Sequence, residues 1–151
     1  MKVSRRCEYA LRALLELADR GDERPVRIEE IARRQRIPKN FLANLLVQLK
    51  QARMVQSRQG PDGGYLLARS PRKITVGEVV RLVDGPIAPF HCVNEALGEK
   101  CDLDGDCGYF PLWKRVRDAV TDIVDRATVA DILDEHRRTA ASRNKAMMFH
   151  I

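Results

Sequence analysis

Five consecutive turn-forming residues, Gly60-Pro61-Asp62-Gly63-Gly64, separate two short runs, Met54 to Gln59 and Tyr65 to Arg69, that read as strands folded back on each other. This hairpin directly follows two short helical segments. Residues Ile28 to Gln35 put Ile28, Ile31 and Ala32 on one helical face. Arg36-Ile37-Pro38 then makes a turn, and Pro38 suits the first position of a helix running to about Ala52. That helix is expected to bury Phe41, Leu42, Leu45, Leu46 and Leu49, and to turn Lys39, Asn40, Ala43, Asn44, Val47 and Gln48 outward. Two helices joined by a tight turn also occur in ordinary helical hairpins. A glycine-rich hairpin straight after the second helix is a wing, and the combination predicts a winged helix-turn-helix.

The flanking segments read as helices. Ser4 is an N-cap for a first helix to about Arg20, with Tyr9, Ala10, Ala13, Leu14, Leu17 and Ala18 in one stripe and Gly21 as its stop. Thr75 and Glu78 form a capping-box pattern opening a helix to about Asp84. Residues 85–110 hold two prolines, four glycines and three cysteines, and are expected to form an irregular loop; one this long is usually functional. Pro111 opens a long amphipathic helix with Trp113, Val116, Val120, Ile123 and Val124 as its stripe. Thr128 caps a shorter helix to about Arg138, and residues 139–151 are expected to be a flexible tail. The fold class is thus mainly α with a small β-hairpin wing, and no run approaches the roughly 20 apolar residues of a membrane span. The N-terminus has no signal-peptide pattern, because Glu8 and Arg12 interrupt it, and a cytoplasmic protein is expected.

The net charge of +6 is unevenly spread. Residues 1–75 carry 17 Lys+Arg against 8 Asp+Glu, whereas residues 76–151 carry 10 against 13. A basic first half suits a polyanion, since neutralising phosphates releases counterions. On the outward face of the third helix, Asn40, Asn44 and Gln48 are of the type that pairs with adenine in the major groove. Arg33, Arg34 and Lys39 are expected to touch phosphates. Arg58 and Gln59, at the wing, suit a narrow minor groove.

Cys92, Cys101 and Cys107 fall within sixteen residues. In a reducing compartment such a cluster binds metal or does redox work more often than it forms disulfides. An iron–sulfur cluster takes four protein ligands, most often thiolates. Zinc is the rival, because three cysteines with a carboxylate or histidine make a tetrahedral set. The missing Cys-x-x-Cys knuckle counts against a structural zinc site. Cys7 lies on the apolar stripe of the first helix, where a cysteine acts as a small hydrophobe, and His91 neighbours Cys92. Acidic neighbours Glu95, Glu99, Asp102, Asp104 and Asp106 solvate the loop, and the Asp-x-Asp-Gly-Asp run at 102–106 is too short for a calcium loop.

With these motifs in hand, the chain resembles the winged-helix iron–sulfur regulator family of IscR, NsrR and RirA. The matching residues are Arg-Arg-Cys-Glu-Tyr-Ala-Leu-Arg-Ala-Leu (5–14), Gly-Pro-Asp-Gly-Gly-Tyr-Leu-Leu (60–67), Ile-Thr-Val-Gly-Glu-Val-Val (74–80), Val-Asp-Gly (83–85) and the three-cysteine loop before a Leu-Trp helix. The resemblance extends to about residue 138. It implies a homodimeric regulator that reads a near-palindromic operator in double-stranded DNA, whose C-terminal helices cross between subunits. By that analogy residues 1–84 are the DNA-binding domain, 85–110 the cluster-binding loop and 111–138 the dimerisation helix with a short following helix. Three departures matter. The first cysteine gap is long, Phe110 stands where IscR-like members carry a histidine ligand, and Gln59 replaces an arginine before the wing glycine. These favour NsrR- or RirA-like members that sense nitric oxide, redox state or iron. That pattern implies a fourth ligand from the first helix of the partner subunit, at the position of Glu8, and favours a four-iron over a two-iron cluster. On spacing alone, Glu8 and Arg12 form an ordinary i,i+4 surface pair.

Two rival classes stand beside this reading: a zinc- or thiol-based regulator without iron, and a redox protein whose basic face docks an acidic partner. An enzyme is not expected, because His91, His136 and His150 are scattered and no nucleophile–base set surrounds them.

Overall fold

The computed structural model describes residues 2–21, 24–94, 103 and 106–148, the last six as helix backbone. Helix α1 (Arg5–Arg20) is the spine of the fold. Ser4 caps it by accepting the Cys7 N–H at 3.2 Å, and Gly21 ends it at φ +78°, a conformation that favours glycine. Its stripe of Cys7, Ala10, Ala13, Leu14, Leu17 and Ala18 is buried.

Helices α2 (Ile28–Gln35) and α3 (Lys39–Gln51) pack on α1 and on each other. The turn between them holds Arg36 in the left-handed region at φ +52°, so the hydrogen bond from Ile37 N–H to the Ala32 carbonyl can close α2. Pro38 is the N-cap of α3 rather than its first residue; with ψ at 128° its backbone is still extended. Leu42, Leu45, Leu46 and Leu49 enter the core as expected. Phe41 does not: it is 39% exposed, at the edge of the stripe, with its ring edge-on to Tyr9 of α1 at 5.7 Å.

The wing is β1 (Val55–Arg58) antiparallel to β2 (Gly64–Leu67), in register from Val55 opposite Leu67 to Arg58 opposite Gly64. Both strands are shorter than the sequence suggested. Val26 joins β2 as a third rung, with its N–H and carbonyl each bonded to Tyr65 at 2.9 Å. A Cβ on Gly64 would lie 2.5 Å from the Val26 carbonyl oxygen, so only glycine lets the wing approach this closely.

Helix α4 (Val76–Asp84) carries the expected capping box, with Thr75 Oγ1 accepting the Glu78 N–H at 3.2 Å and Glu78 accepting the Thr75 N–H at 3.0 Å. The chain into α4 runs antiparallel to the chain into the last helix, since Val76 N–H donates to Ala127 and Val129 N–H to Ile74. Helix α5 (Phe110–Arg126) starts one residue earlier than expected, with Pro111 at its second position. Helix α6 (Val129–Met148) is much longer than expected: the segment from Thr139 anticipated as a tail is helical as far as Met148. Thr139 to Met148 has no glycine or proline and several good helix formers, so propensity continues the helix after the apolar stripe has ended. Val129, Ala130 and Leu133 are buried, Val129 and Leu133 in the same core as α1, and Arg137 pairs with Asp19 at 2.9 Å. No described helix is long and apolar enough to cross a membrane.

Candidate nucleic-acid interface and cysteine segment

Helix α3 presents Lys39, Asn40, Asn44 and Val47 to solvent, with Gln48 half-buried one turn beyond Asn44. Asn40 and Asn44 share one outward face with Gln48, as the sequence predicted. Three of the expected contacts are already engaged. Arg34 Nε lies 2.6 Å from Oε1 of Glu16, a carboxylate only 4% exposed. The other oxygen of that carboxylate accepts Gln35 Nε2 at 2.7 Å, so Glu16 fastens the end of α2 to α1. Lys39 pairs with Glu29, and Gln48 accepts a hydrogen bond from Arg6. The Lys39 ammonium, as hydrogen-bond donor, holds the Glu29 carboxyl below its ordinary range. Arg33 is exposed on the same helix as Arg34.

At the wing, Arg58 and Gln59 are exposed beside an open hollow of about 840 Å³ that Arg24, Arg27 and Asp62 also line. Arg27 donates to the Pro61 carbonyl, and Lys50 donates to Ser57 Oγ at 2.7 Å. The tip of the hairpin and the far half of β1 are therefore each tied to the helical unit.

Of the three clustered cysteines, Cys92 and Cys107 are described; Cys101 lies outside the described residues, as do Glu95, Glu99, Asp102 and Asp104. Cys92 sits in a 3-10 turn, His91–Val93, packed on α5. Arg117 of α5 donates to the Val93 carbonyl at 2.9 Å, and the Phe90 and Trp113 rings meet at 4.5 Å. Cys107 stands just before α5, its N–H bonded to the Leu103 carbonyl and its carbonyl to the Phe110 N–H, both at 3.1 Å. Both thiols are half-buried and unbridged. His91 is exposed. Among the described residues no three His, Cys, Asp or Glu side chains converge as a metal-holding group.

Cys7 is fully buried, and its thiol is pushed up to about 11 by burial and by the Asp84 carboxylate. That burial fits the role of a small hydrophobe. Glu8 is 55% exposed and lies 3.2 Å from Arg12, the i,i+4 pair that its spacing allows. Arg12 continues inward to the backbone carbonyl of Gln35 at the helix-turn-helix bend. Along α5, Phe110, Leu112, Val116 and Ile123 are exposed, and the helix has no fully buried residue.

Residues 3–135 match the Rrf2 family, described as an iron-dependent transcriptional regulator. The chain belongs to the Rrf2 family. An rrf2-like HTH-type transcriptional regulator of Rhodobacter capsulatus is 38% identical over 137 residues, 87% of this chain and 91% of that protein. CymR of Bacillus subtilis is 31% identical over the full length of both chains. Its solved structure, described as the global cysteine regulator, superposes with a TM-score of 0.77 over 89% of this chain and 98% of that one. T. potens IscR gives a TM-score of 0.70 at 30% identity, covering 90% and 88%.

This Rrf2 protein is therefore a DNA-binding transcriptional regulator with a winged helix, and the relatives it matches are named as regulators rather than enzymes. The regulator reading displaces that of a redox carrier with no DNA role. Within the Rrf2 frame, sequence reasoning missed Arg6, Arg27 and Lys50, three cations that touch the recognition helix or wing. Their signal was faint: each contacts a residue 7 to 42 positions away in the chain.

Proposed function

We propose that this Rrf2 regulator binds a near-palindromic operator as a homodimer in the cytoplasm, under the control of an iron–sulfur cluster that responds to nitric oxide, redox state or iron supply. Cys92, Cys101 and Cys107 would supply three ligands and the partner subunit's Glu8 the fourth. The observation that carries this reading is that Cys92 and Cys107, which flank Cys101 in the sequence, are both half-buried and unbridged. Their chemistry suits a sulfide-bridged iron centre, and the resemblance to NsrR-like members favours four irons over two. A cluster bound there would supply an iron held through the Glu8 oxygen, a poorer match than sulfur and so an exchangeable ligand.

Glu8 pairs with Arg12, which reaches the bend between α2 and α3, and would have to leave that pair to serve as a ligand. Losing or gaining the ligand would thus bias how the recognition helices are held. A second copy covers the exposed stripe of Phe110, Leu112, Val116 and Ile123, because an apolar helix face of that kind favours burial. Asn40, Asn44 and Gln48 would read bases, Arg33, Arg34 and Lys39 hold phosphates, and Arg58 and Gln59 enter the minor groove. The half-sites would lie about one helical turn apart.

A second reading is favoured by the likeness to CymR over the whole chain: a regulator that uses its thiols, with or without zinc, and no iron. Anaerobic purification with iron, sulfide and zinc analysis and a visible spectrum separates the two. A brown protein with matched iron and sulfide, lost in Cys92→Ala, is the expected result. Colourless protein with stoichiometric zinc, or with no metal, overturns the iron–sulfur reading.

A further inference from the structure

We propose that Arg6, on the first turn of α1, decides which base Gln48 reads by holding the oxygen of its amide. Arg6 Nη2 donates to Gln48 Oε1 at 3.2 Å, bridging from α1 to the outer face of α3. A guanidinium has only donors, so the amide oxygen must be the atom that faces it. Gln48 therefore turns its Nε2, with two hydrogens, away from Arg6. It is half-buried, which limits how far the amide can swing back.

An unrestrained glutamine pairs with adenine by accepting from N6 and donating to N7. Here the accepting oxygen already serves a cation, and the positive charge beside it repels adenine's amino group. What the pair offers the groove is a set of donors: Gln48 Nε2 and the remaining N–H groups of Arg6. Guanine, with acceptors at both O6 and N7, matches that surface, so the pair selects guanine where glutamine alone would take adenine. The placement of Arg6 points the same way. Arg5 and Arg6 are both exposed on the first turn of α1, where the helix dipole disfavours positive charge, so helix stability gives no reason for them.

The inference rests on α3 being the base-reading helix. The test is selection of binding sites from a randomised DNA pool by the full-length protein, the Arg6→Ala, Arg6→Lys and Gln48→Ala variants, and the Arg6→Ala/Gln48→Ala double variant, all prepared anaerobically. Wild type should enrich guanine at one position in each half-site. Arg6→Ala should lower that preference by roughly tenfold at that position alone, in favour of adenine. Gln48→Ala should erase the preference, the double variant should match it, and Arg6→Lys should keep part of the guanine bias. An unchanged motif in Arg6→Ala, with all sequences bound more weakly and a shallower salt dependence, would make Arg6 a phosphate contact and overturn the proposal. A pool from which even wild type enriches nothing would instead defeat the reading of α3 itself. Arg6 is exposed, so unaltered melting of the variants confirms that the fold is not the cause.

Discussion

A Cβ on Gly77 would come within 1.9 Å of the Asp125 carboxylate, which Arg81 grips with two hydrogen bonds of 2.7 Å. The glycine on α4 thus makes room for the ion pair that fastens α5 to the DNA-binding unit. Gly77→Ala should force Asp125 aside and break the pair. An exposed pair is worth roughly 0.2–1 kcal/mol, and alanine regains about 0.5–1 kcal/mol of helix preference, so overall stability should change little. The backbone amides of α5 should nevertheless exchange faster with solvent. Unchanged α5 protection would show that the clamp does not hold the helix.

Arg33 and Arg34 are neighbours with different duties. Arg33 is exposed, while Arg34 neutralises the buried Glu16. Arg33→Ala should weaken binding to all DNA sequences and leave the melting temperature near wild type. Arg34→Ala should also destabilise the fold, by about 1–3 kcal/mol, because it leaves a buried carboxylate short of a partner. Denaturant unfolding of both variants decides the matter. Equal stability would mean that Gln35 and Arg20, whose Nε lies 3.4 Å from the carboxylate, satisfy Glu16 by themselves.

Stability should fall at acid pH for a traceable reason. Hydrogen bonds from Arg81 hold Asp125 below its ordinary value of 3.8, and Thr128 does the same for Asp131. Burial pushes Glu78 up, but the Thr75 N–H and Arg69 outweigh it and leave it below 4.5. Each folded pKa is depressed, so the unfolded chain takes up protons first and stability rises with pH. The contribution is complete above the ordinary carboxylate range and disappears as pH drops through the folded values. Glu78→Gln should flatten the acid limb of a melting-temperature profile; an unaltered limb would assign the loss to other groups.

Glu8 should matter to a bound cofactor far more than to the fold. Its pair with Arg12 is exposed, so Glu8→Ala should change the stability of metal-free protein by less than about 0.5 kcal/mol. If it is the fourth ligand, the same change should speed loss of the visible chromophore to a chelator severalfold. Chromophore loss at the wild-type rate would remove Glu8 from the ligand set.

The local features of this fold could be read residue by residue. Ser4, Gly21, Thr75 with Glu78, and the run from Gly60 to Gly64 each act within a few positions, so their effect is written where they stand. Phe41 and the end of α6 escape such a reading because apolar periodicity does not show where a stripe's edge meets solvent, nor whether propensity alone prolongs a helix. The cysteines and the asparagines of α3 were visible by type and spacing. Arg34 with Glu16 and Arg6 with Gln48 were not, since such pairs depend on how helices distant in sequence are laid side by side.

The rung that Val26 adds to the hairpin has a further consequence. Bonded to Tyr65 on one side and leading directly into α2 on the other, it ties the wing to the helix pair that would enter the major groove. A wing tethered this way has less freedom to adjust its distance from the helices. Under the proposed mode of binding the operator would have to supply the matching groove width by its sequence, and tracts too stiff to reach that shape would be passed over even with every contacted base correct.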